Sequence, residues 1–187
     1  QKRSQALKHE SEYNRDLILF ALSSEQVPAL QPLPLTSVPS GEVKPYVVIH
    51  PGMAGSARNW PAEYYKELGA RLIQQGVSVI VTGSITDEAF VRETGLLELP
   101  GIQSKVGTTG GSELLKVLAG AKAVVAPSTG IAHLAASLGI KTVGIYSPVR
   151  VQAPKRWRPL GRDVYVHVPT VDCPGGHGCL GPSCAVY

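Results

Sequence analysis

The chain has 187 residues, of which 43% are hydrophobic and 17% are charged, a composition typical of a globular protein with a full hydrophobic core. Its formal net charge of +4 favours phosphorylated small molecules, acidic lipids or nucleic acid as partners. The longest apolar runs are far shorter than a membrane span, and no charged-then-apolar leader is visible at the start. We therefore expect neither a spanning segment nor a signal peptide.

The first part of the chain predicts a helix and a connector outside the core of the main domain. Residues 2–22 favour one helix that is polar at its start and apolar at its end. Five prolines follow between Pro28 and Pro45, and proline at this density prevents regular strand pairing. The apolar residues of the helix share a rough stripe: Leu7, Tyr13, Leu17 and Phe20. The expected units are a helix over 1–22, a proline-rich linker over 23–45 and a main domain over 46–187.

The main domain alternates short β-branched runs with helical segments. Strands are predicted at 46–50, 77–83, 102–107, 121–127, 141–147 and 163–168. Helices are predicted at 61–75, about 87–95, 113–118 after a Ser112 cap, and 130–138. This alternation predicts an α/β fold with a doubly wound, Rossmann-like parallel sheet. Such sheets bind ligands at the carboxyl ends of their strands, which selects the loops after the first, second and fourth strands.

The corner after the fourth strand combines small hydroxyl residues, a glycine and a histidine. A helix that begins near Gly130 leaves its first N–H groups without partners, and Ser128 and Thr129 add hydroxyl donors. This pattern fits a phosphate cradle as well as it fits an ordinary N-cap followed by a turn. His133 lies one turn into the helix, where it could contact the same anion or serve as a core histidine.

The loop after the first strand, HPGMAGSARNWP, is also rich in small residues. Gly52, Gly55 and Ser56 precede Arg58, and a guanidinium can contact two phosphate oxygens at once. The loop is neither a Walker A loop nor a GxGxxG fingerprint. No Asp-x-Asp pair occurs in the sequence, so arginine and helix termini would have to neutralise a bound diphosphate.

Two further stretches leave alternatives open. Residues 150–162 place five basic residues around Trp157, which suits nucleic acid or an anionic lipid, but a solvated loop is the favoured interpretation. The tail sets His177 among three cysteines, Cys173, Cys179 and Cys184. A zinc site there is less favoured than an oxidisable cysteine pair or three inert thiols, because the spacing matches no standard zinc motif.

Taken together, the three corners resemble the donor-binding half of the lipopolysaccharide heptosyltransferases, glycosyltransferase family nine. The matching segments are HPGMAGSARNWP with EYYKELGARLIQQG, then VIVTGSITDE, then LAGAKAVVAPSTGIAHLAASLGIKTVGIYSP. The helix over 2–22 also resembles the family segment that leaves the first domain. The resemblance implies the C-terminal half of a GT-B fold, inverting transfer without a metal or other cofactor, and no catalytic residue in this chain. The general base and the acceptor site would belong to an N-terminal domain missing from this sequence.

The resemblance also assigns residues and partners. The donor diphosphate would contact Gly52, Gly55, Ser56, Arg58, Ser128, Thr129, Gly130 and His133. The nucleoside would lie near Thr82, Gly83 and Asp87. Ser128 stands where many members carry aspartate, so an acidic group near the sugar hydroxyls is missing. Ile131 stands where proline is frequent.

The expected protein is a cytoplasmic transferase that uses ADP-heptose and a glycolipid acceptor for lipopolysaccharide or surface-glycan synthesis. We expect no nucleic-acid partner, and a peripheral contact with the inner membrane is a further expectation. The alternatives are a GT-B transferase that uses a UDP-sugar and a non-catalytic Rossmann module that binds through its basic loop.

Overall fold

The computed structural model describes residues 3–22, 45–55 and 57–171. These contain a six-stranded parallel sheet in the order β3-β2-β1-β4-β5-β6, which confirms the predicted Rossmann-like fold. Each strand boundary lies within two residues of its prediction, because each strand coincides with a β-branched run. The strands are β1 Tyr46–Ile49, β2 Ser78–Gly83, β3 Ile102–Val106, β4 Ala123–Pro127, β5 Thr142–Ile145 and β6 Val164–His167.

Helices connect the strands and cover both faces of the sheet. Alternate residues of β1 point to opposite faces, so Val48 packs with α4 and α5, and Ile49 packs with α2 and α3. Burial on both sides explains why the strand sequences are almost continuously apolar. The helices are α1 Glu10–Leu22, α2 Ala62–Gln74, α3 Glu88–Glu93, α4 Gly111–Ala119, α5 Gly130–Ser137 and α6 Pro154–Trp157.

The prediction of one helix over 2–22 is wrong at its start. A 3-10 turn covers Arg3–Gln5, and Ala6 then takes a φ of 50°, a left-handed conformation that interrupts the helix. The α-helix begins only at Glu10, where the backbone N–H of His9 donates to Glu12 Oε2 at 2.9 Å. Tyr13 is buried, but the other three residues of the predicted stripe, Leu7, Leu17 and Phe20, are exposed.

Two other local predictions also need correction. Helix α4 begins at Gly111 after a Gly110 N-cap, so Ser112 lies inside the helix and does not cap it. The predicted helix near 87–95 is shorter, because a 3-10 turn over Ile85–Asp87 precedes α3. The predicted linker over 23–45 lies outside the described residues except for its last residue, Pro45.

Candidate functional site

Three loops meet at the carboxyl edge of the sheet because β2, β1 and β4 are neighbours. The chain leaves β1 toward α2 on one face and leaves β4 toward α5 on the other. The loops therefore diverge and open a crevice at the point where the strand order reverses. This crevice holds one cavity of about 550 Å³ and one of about 220 Å³, and Thr129 and Gly130 line both.

Thr129 has a buried hydroxyl group, Oγ1, without a hydrogen-bond partner among the described residues. It is the N-cap residue of α5, yet its side chain makes no capping hydrogen bond. A buried hydroxyl without a partner is costly, so it usually indicates an absent ligand or water. The structure thus disfavours the ordinary N-cap interpretation of this hydroxyl.

Gly130 begins α5 and leaves the approach to the helix open. It is exposed, and a Cβ atom added to it would meet no atom within 4 Å. The first backbone N–H groups of α5 have no partner within the helix, and the helix dipole places partial positive charge beside them. An anion in the crevice could therefore approach these N–H groups and the Thr129 hydroxyl together.

Ser128, unlike Thr129, has its hydroxyl engaged. Tyr146 lies just beyond β5, and its hydroxyl donates to the carbonyl of Trp157 at 2.8 Å. The Tyr146 hydroxyl oxygen can therefore accept a hydrogen bond from the Ser128 hydroxyl. Burial raises the pKa of Tyr146 to about 12. These bonds fix α6 against the end of β5, so Ser128 supports the wall of the larger cavity.

His133 lines the larger cavity from the first turns of α5. Burial lowers the pKa of His133, and the neighbouring His9 lowers it further, although a hydrogen bond to the Trp157 backbone acts in the opposite direction. The lowered pKa therefore favours the neutral imidazole at pH 7. A bound dianion would favour its protonated form, which could then stabilise the ligand's negative charge.

Asp87 holds the loop that follows β1 through a hydrogen bond to its backbone. The carboxylate accepts hydrogen bonds from Ser84 N at 2.9 Å, from Ser84 Oγ and from the backbone of Ala54. Burial alone would raise the pKa of Asp87, but these bonds and the nearby His50 hold it below its usual value. Ala54 and Gly55 have φ values of 46° and 70°, so the carboxylate stabilises a tight left-handed turn.

Gly52 is required by the position of the same carboxylate. A Cβ atom on Gly52 would overlap the carboxyl carbon and both carboxylate oxygens of Asp87. The residue thus allows the β1–α2 loop to lie directly on Asp87. Gly52, Ala54 and Asp87 line the smaller cavity together with Thr129 and Gly130.

His50 is a site residue that the sequence analysis missed. It directly follows β1, lines the smaller cavity and shares a 3.0 Å hydrogen bond between its Nδ1 and Thr82 Oγ1. Burial lowers the pKa of His50 to about 4, although the charge of Asp87 favours the protonated form. Its position at the end of a buried strand is the signal that could have identified it.

The basic stretch after β5 is in part the solvated loop that was favoured, because four of its five basic residues are exposed, but Arg156 is not. Arg156 and Trp157 line the larger cavity, and the Arg156 guanidinium lies 4.6 Å from the Trp157 ring centre. Arg156 Nε also donates to Glu10 Oε2 at 2.7 Å, and both side chains are mostly buried. The ion pair fixes α1 to α6, a contact that sequence spacing alone could not predict.

Some predicted site residues lie away from the two cavities. Arg58 lines a separate cavity beside Trp60 and Pro169, although Ala57 before it lines the larger crevice cavity. Thr82 and Gly83 are buried behind the crevice wall and line neither cavity. Their nucleoside role, that of Asp87 and the diphosphate role of Arg58 stay predictions.

The predicted roles of Ser56 and of the cysteine-rich tail, Cys173, His177, Cys179 and Cys184, fall outside the described residues. Within the described part of the chain, no three His, Cys, Asp or Glu side chains are grouped to hold a metal ion. No helix in that part is long and apolar enough to cross a bilayer.

Comparisons with known proteins identify the family of the chain. The sequence matches the family model of glycosyltransferase family 9 (heptosyltransferase) over residues 4–173. It is 36% identical over 106 residues to lipopolysaccharide heptosyltransferase 1 of Pseudomonas aeruginosa, covering 56% of this chain and 29% of that protein. It is 31% identical over 114 residues to lipopolysaccharide heptosyltransferase 2 of Salmonella typhimurium, covering 56% of this chain and 32% of that protein.

The fold is similar to that of the Escherichia coli heptosyltransferase WaaC, solved with ADP, with a TM-score of 0.65 and 23% sequence identity. The likeness covers 96% of this chain and 53% of that one. The chain spans between 29% and 54% of the length of the curated relatives it matches. Because the family match extends over most of its residues, the chain belongs to glycosyltransferase family 9, the heptosyltransferase family.

Proposed function

We propose that this chain is the donor-binding part of a glycosyltransferase and that its crevice holds the diphosphate of a nucleotide sugar. The observation that carries the proposal is the buried, unpartnered Oγ1 of Thr129 at the N-terminus of α5. The hydroxyl and the N–H groups that follow it can donate to phosphate oxygens without any rearrangement of the helix. Their position at the reversal of strand order supports the same site.

The proposed donor is an ADP-sugar, with ADP-heptose favoured. Support comes from the curated relatives, which are lipopolysaccharide heptosyltransferases, and from the WaaC structure, which was solved with ADP. The proposed acceptor is a glycolipid of lipopolysaccharide or surface-glycan synthesis, bound by a domain outside this sequence. A cytoplasmic location and a peripheral contact with the inner membrane belong to the same proposal.

The proposed reaction is a direct displacement with inversion. An acceptor hydroxyl attacks the anomeric carbon, the bond from that carbon to the diphosphate oxygen breaks, and its electron pair leaves with the nucleotide. The crevice donors stabilise the negative charge that grows on the leaving diphosphate, and no metal is required. A base must take the acceptor proton. Asp87 already accepts three hydrogen bonds, so we place that base outside this chain.

Calorimetry with ADP on the chain and on two threonine variants tests the proposal. Thr129→Ala removes the unpartnered hydroxyl and should weaken ADP binding roughly tenfold, or by about 1.4 kcal/mol. Thr108→Ala is the matched control, because Thr108 is exposed in a turn after β3. It should leave the affinity unchanged.

A nucleotide panel then tests the identity of the donor. Tighter binding of ADP and ADP-sugars than of UDP and UDP-sugars is expected, whereas the reverse order would point to a UDP-sugar transferase. No detectable binding of any nucleotide diphosphate at millimolar concentration would contradict the donor site itself.

A further inference from the structure

A second positively charged surface lies on the other side of α6 from the crevice. It is a groove of about 710 Å³ between the first turns of α1 and the segment from α6 to β6. Arg15 lines it from α1, and Lys155 and Arg158 line it from α6 and the residue that follows. Leu160 and Val166 form an apolar part of its wall. We call this feature the α1–α6 groove.

The three basic side chains of the groove lack anionic partners. None of them makes an ion pair or a side-chain hydrogen bond with a residue in the described ranges 3–22, 45–55 and 57–171. The Nε atom of Arg15 is buried and has no hydrogen-bond partner there. Two basic side chains close to the groove are paired, Lys8 with Asp16 and Arg156 with Glu10. Three cationic side chains face one carboxylate, that of Glu12, in the lining, so the groove carries a net positive charge.

The acidic and imidazole groups near the groove are already engaged. Glu12 lines it, but its Oε2 accepts the N–H of His9 at the start of α1. His9 uses Nε2 on the carbonyl oxygen of Arg158 at 2.9 Å and Nδ1 on Ser11 Oγ at 2.6 Å. Glu10 is bound by Arg3 and Arg156. The groups that can bind an anion are therefore the two guanidinium groups and the ammonium group, which outnumber the remaining negative charge of Glu12.

We propose that the α1–α6 groove binds a phosphoryl group, separately from the nucleotide crevice. Two guanidinium groups can each donate two parallel hydrogen bonds to phosphate oxygens, and Lys155 adds a point charge. The buried Arg15 Nε would gain the partner that it lacks. This site does not depend on the proposed transferase activity, because its residues are different from those of the crevice.

The test follows the amide NMR signals of residues 155 and 158 in the full chain as inorganic phosphate is added. Saturable shifts are expected, and they should weaken as the salt concentration rises. In the Arg15→Gln/Arg158→Gln variant, the phosphate affinity should fall at least roughly tenfold. Lys116→Gln/Lys122→Gln removes the same charge from two exposed lysines and should change the affinity less than about twofold.

Lipid vesicles distinguish a free phosphate from a lipid headgroup. Flotation is measured with vesicles of phosphatidylglycerol and phosphatidylcholine, and with phosphatidylcholine alone. Loss of binding in the groove variant but not in the lysine variant supports the proposal. If only phosphate shows this pattern, the ligand is free; if only the charged vesicles show it, the ligand is a headgroup. Equal effects of the two variants on both probes, or binding to neither probe, would overturn the proposal.

Thr129→Ala separates this site from the crevice. It should leave phosphate binding to the groove unchanged even if it abolishes ADP binding. Loss of the phosphate shifts at residues 155 and 158 in this variant would show that the two surfaces are one site, and would also overturn the proposal. Failure to bind ADP alone would count only against the proposed donor site.

Discussion

The crevice and the α1–α6 groove are both proposed to bind anions, but they present different chemistry. The crevice offers backbone N–H groups, the buried Thr129 hydroxyl and the imidazole of His133. Its one lining guanidinium, Arg156, is shared with Glu10. The groove offers three cationic side chains that make no ion pair with the described residues.

This difference separates two ways of stabilising negative charge. Dipoles fixed by the fold need little reorganisation and are screened weakly when they are buried, so they suit charge that grows during a reaction. Exposed cations attract a charged group from solution, but salt screens them and their side chains must lose freedom on binding. The crevice therefore fits a leaving group, and the groove fits an anion that is held in place.

The largest expected effect comes from breaking the crevice at Gly52. Gly52→Ala should destabilise the chain by about 3 kcal/mol, because the added Cβ overlaps the Asp87 carboxylate and must displace the loop. ADP binding should fall more than roughly tenfold in the same variant. Urea denaturation and calorimetry measure the two effects.

Gly111→Ala provides the control for this change. A Cβ at Gly111 meets no atom within 4 Å, so stability and ADP affinity should stay close to those of the unchanged chain. If Gly52→Ala behaves like Gly111→Ala, then Asp87 does not hold the β1–α2 loop as described.

The next effect is a loss of stability at acidic pH that originates in the crevice. The pKa of His50 is about 4 in the folded chain, below its value of 6.5 in an unfolded chain. As pH falls through 6.5 the unfolded state takes up the proton first, so stability decreases until pH 4 is reached. Between pH 7.5 and 4.5 this amounts to about 2.5 kcal/mol.

His50→Gln removes this titration. The quantity to compare between the variant and the unchanged chain is the pH dependence of the unfolding free energy, not its absolute value. The drop in unfolding free energy between pH 7.5 and 4.5 should shrink in the variant by about the same 2.5 kcal/mol. His133, whose pKa is also lowered, keeps a smaller drop in the same direction. His167→Gln alters an exposed histidine and should preserve the full drop. An unchanged drop in His50→Gln would contradict the burial of a neutral imidazole.

The smallest expected effect comes from a substitution that disrupts the groove and leaves the crevice N–H groups in place. Glu10→Gln removes the carboxylate that joins α1 to Arg156, and both side chains are only 13–14% exposed. A cost of about 1–2 kcal/mol is expected, because glutamine keeps an oxygen that can accept the Arg156 hydrogen bond and loses only the charge. Faster amide exchange in α1 and weaker phosphate binding should accompany it. ADP binding should not weaken, because Thr129 and α5 are unaffected and Arg156, released from Glu10, still lines the larger cavity of the crevice.

Glu67→Gln is the matched control for the ion pair. Glu67 pairs with Arg71 on the surface of α2, where both side chains are more than half exposed. Its loss should cost about 0.5 kcal/mol or less. If the two variants are equally mild and α1 exchange is unchanged, the helix is not held by Glu10.

The crevice could be predicted from the sequence because its information is local. The carboxyl edge of a parallel sheet is marked where a β-branched run ends and glycines and small hydroxyl residues follow. Right-handed crossovers then fix which strands are neighbours. The position of Thr129 and Gly130 followed from this pattern. The roles of Ser128 and Thr129 could not be separated, because only the location of Tyr146 shows which hydroxyl is already engaged.

The groove could not be predicted because its parts are far apart in the chain. Arg15 and Arg158 meet only after α1 docks on α6 through Glu10 and Arg156, and no periodicity encodes that contact. The interruption at Ala6 was missed for a related reason, since alanine favours a helix and no glycine or proline marks the positive φ in the sequence. Residues 150–162 similarly read as a loop because α6 has only four residues.

The most direct test of the donor site is to map ADP onto the backbone of the chain by amide NMR. The account predicts that the largest shifts fall on Thr129 to Ala132 and on the loop from Gly52 to Gly55, with little change at Lys155 or Arg158. It would be contradicted if ADP at millimolar concentration shifted none of these signals. Shifts concentrated in the α1–α6 groove, with the start of α5 unchanged, would contradict it equally.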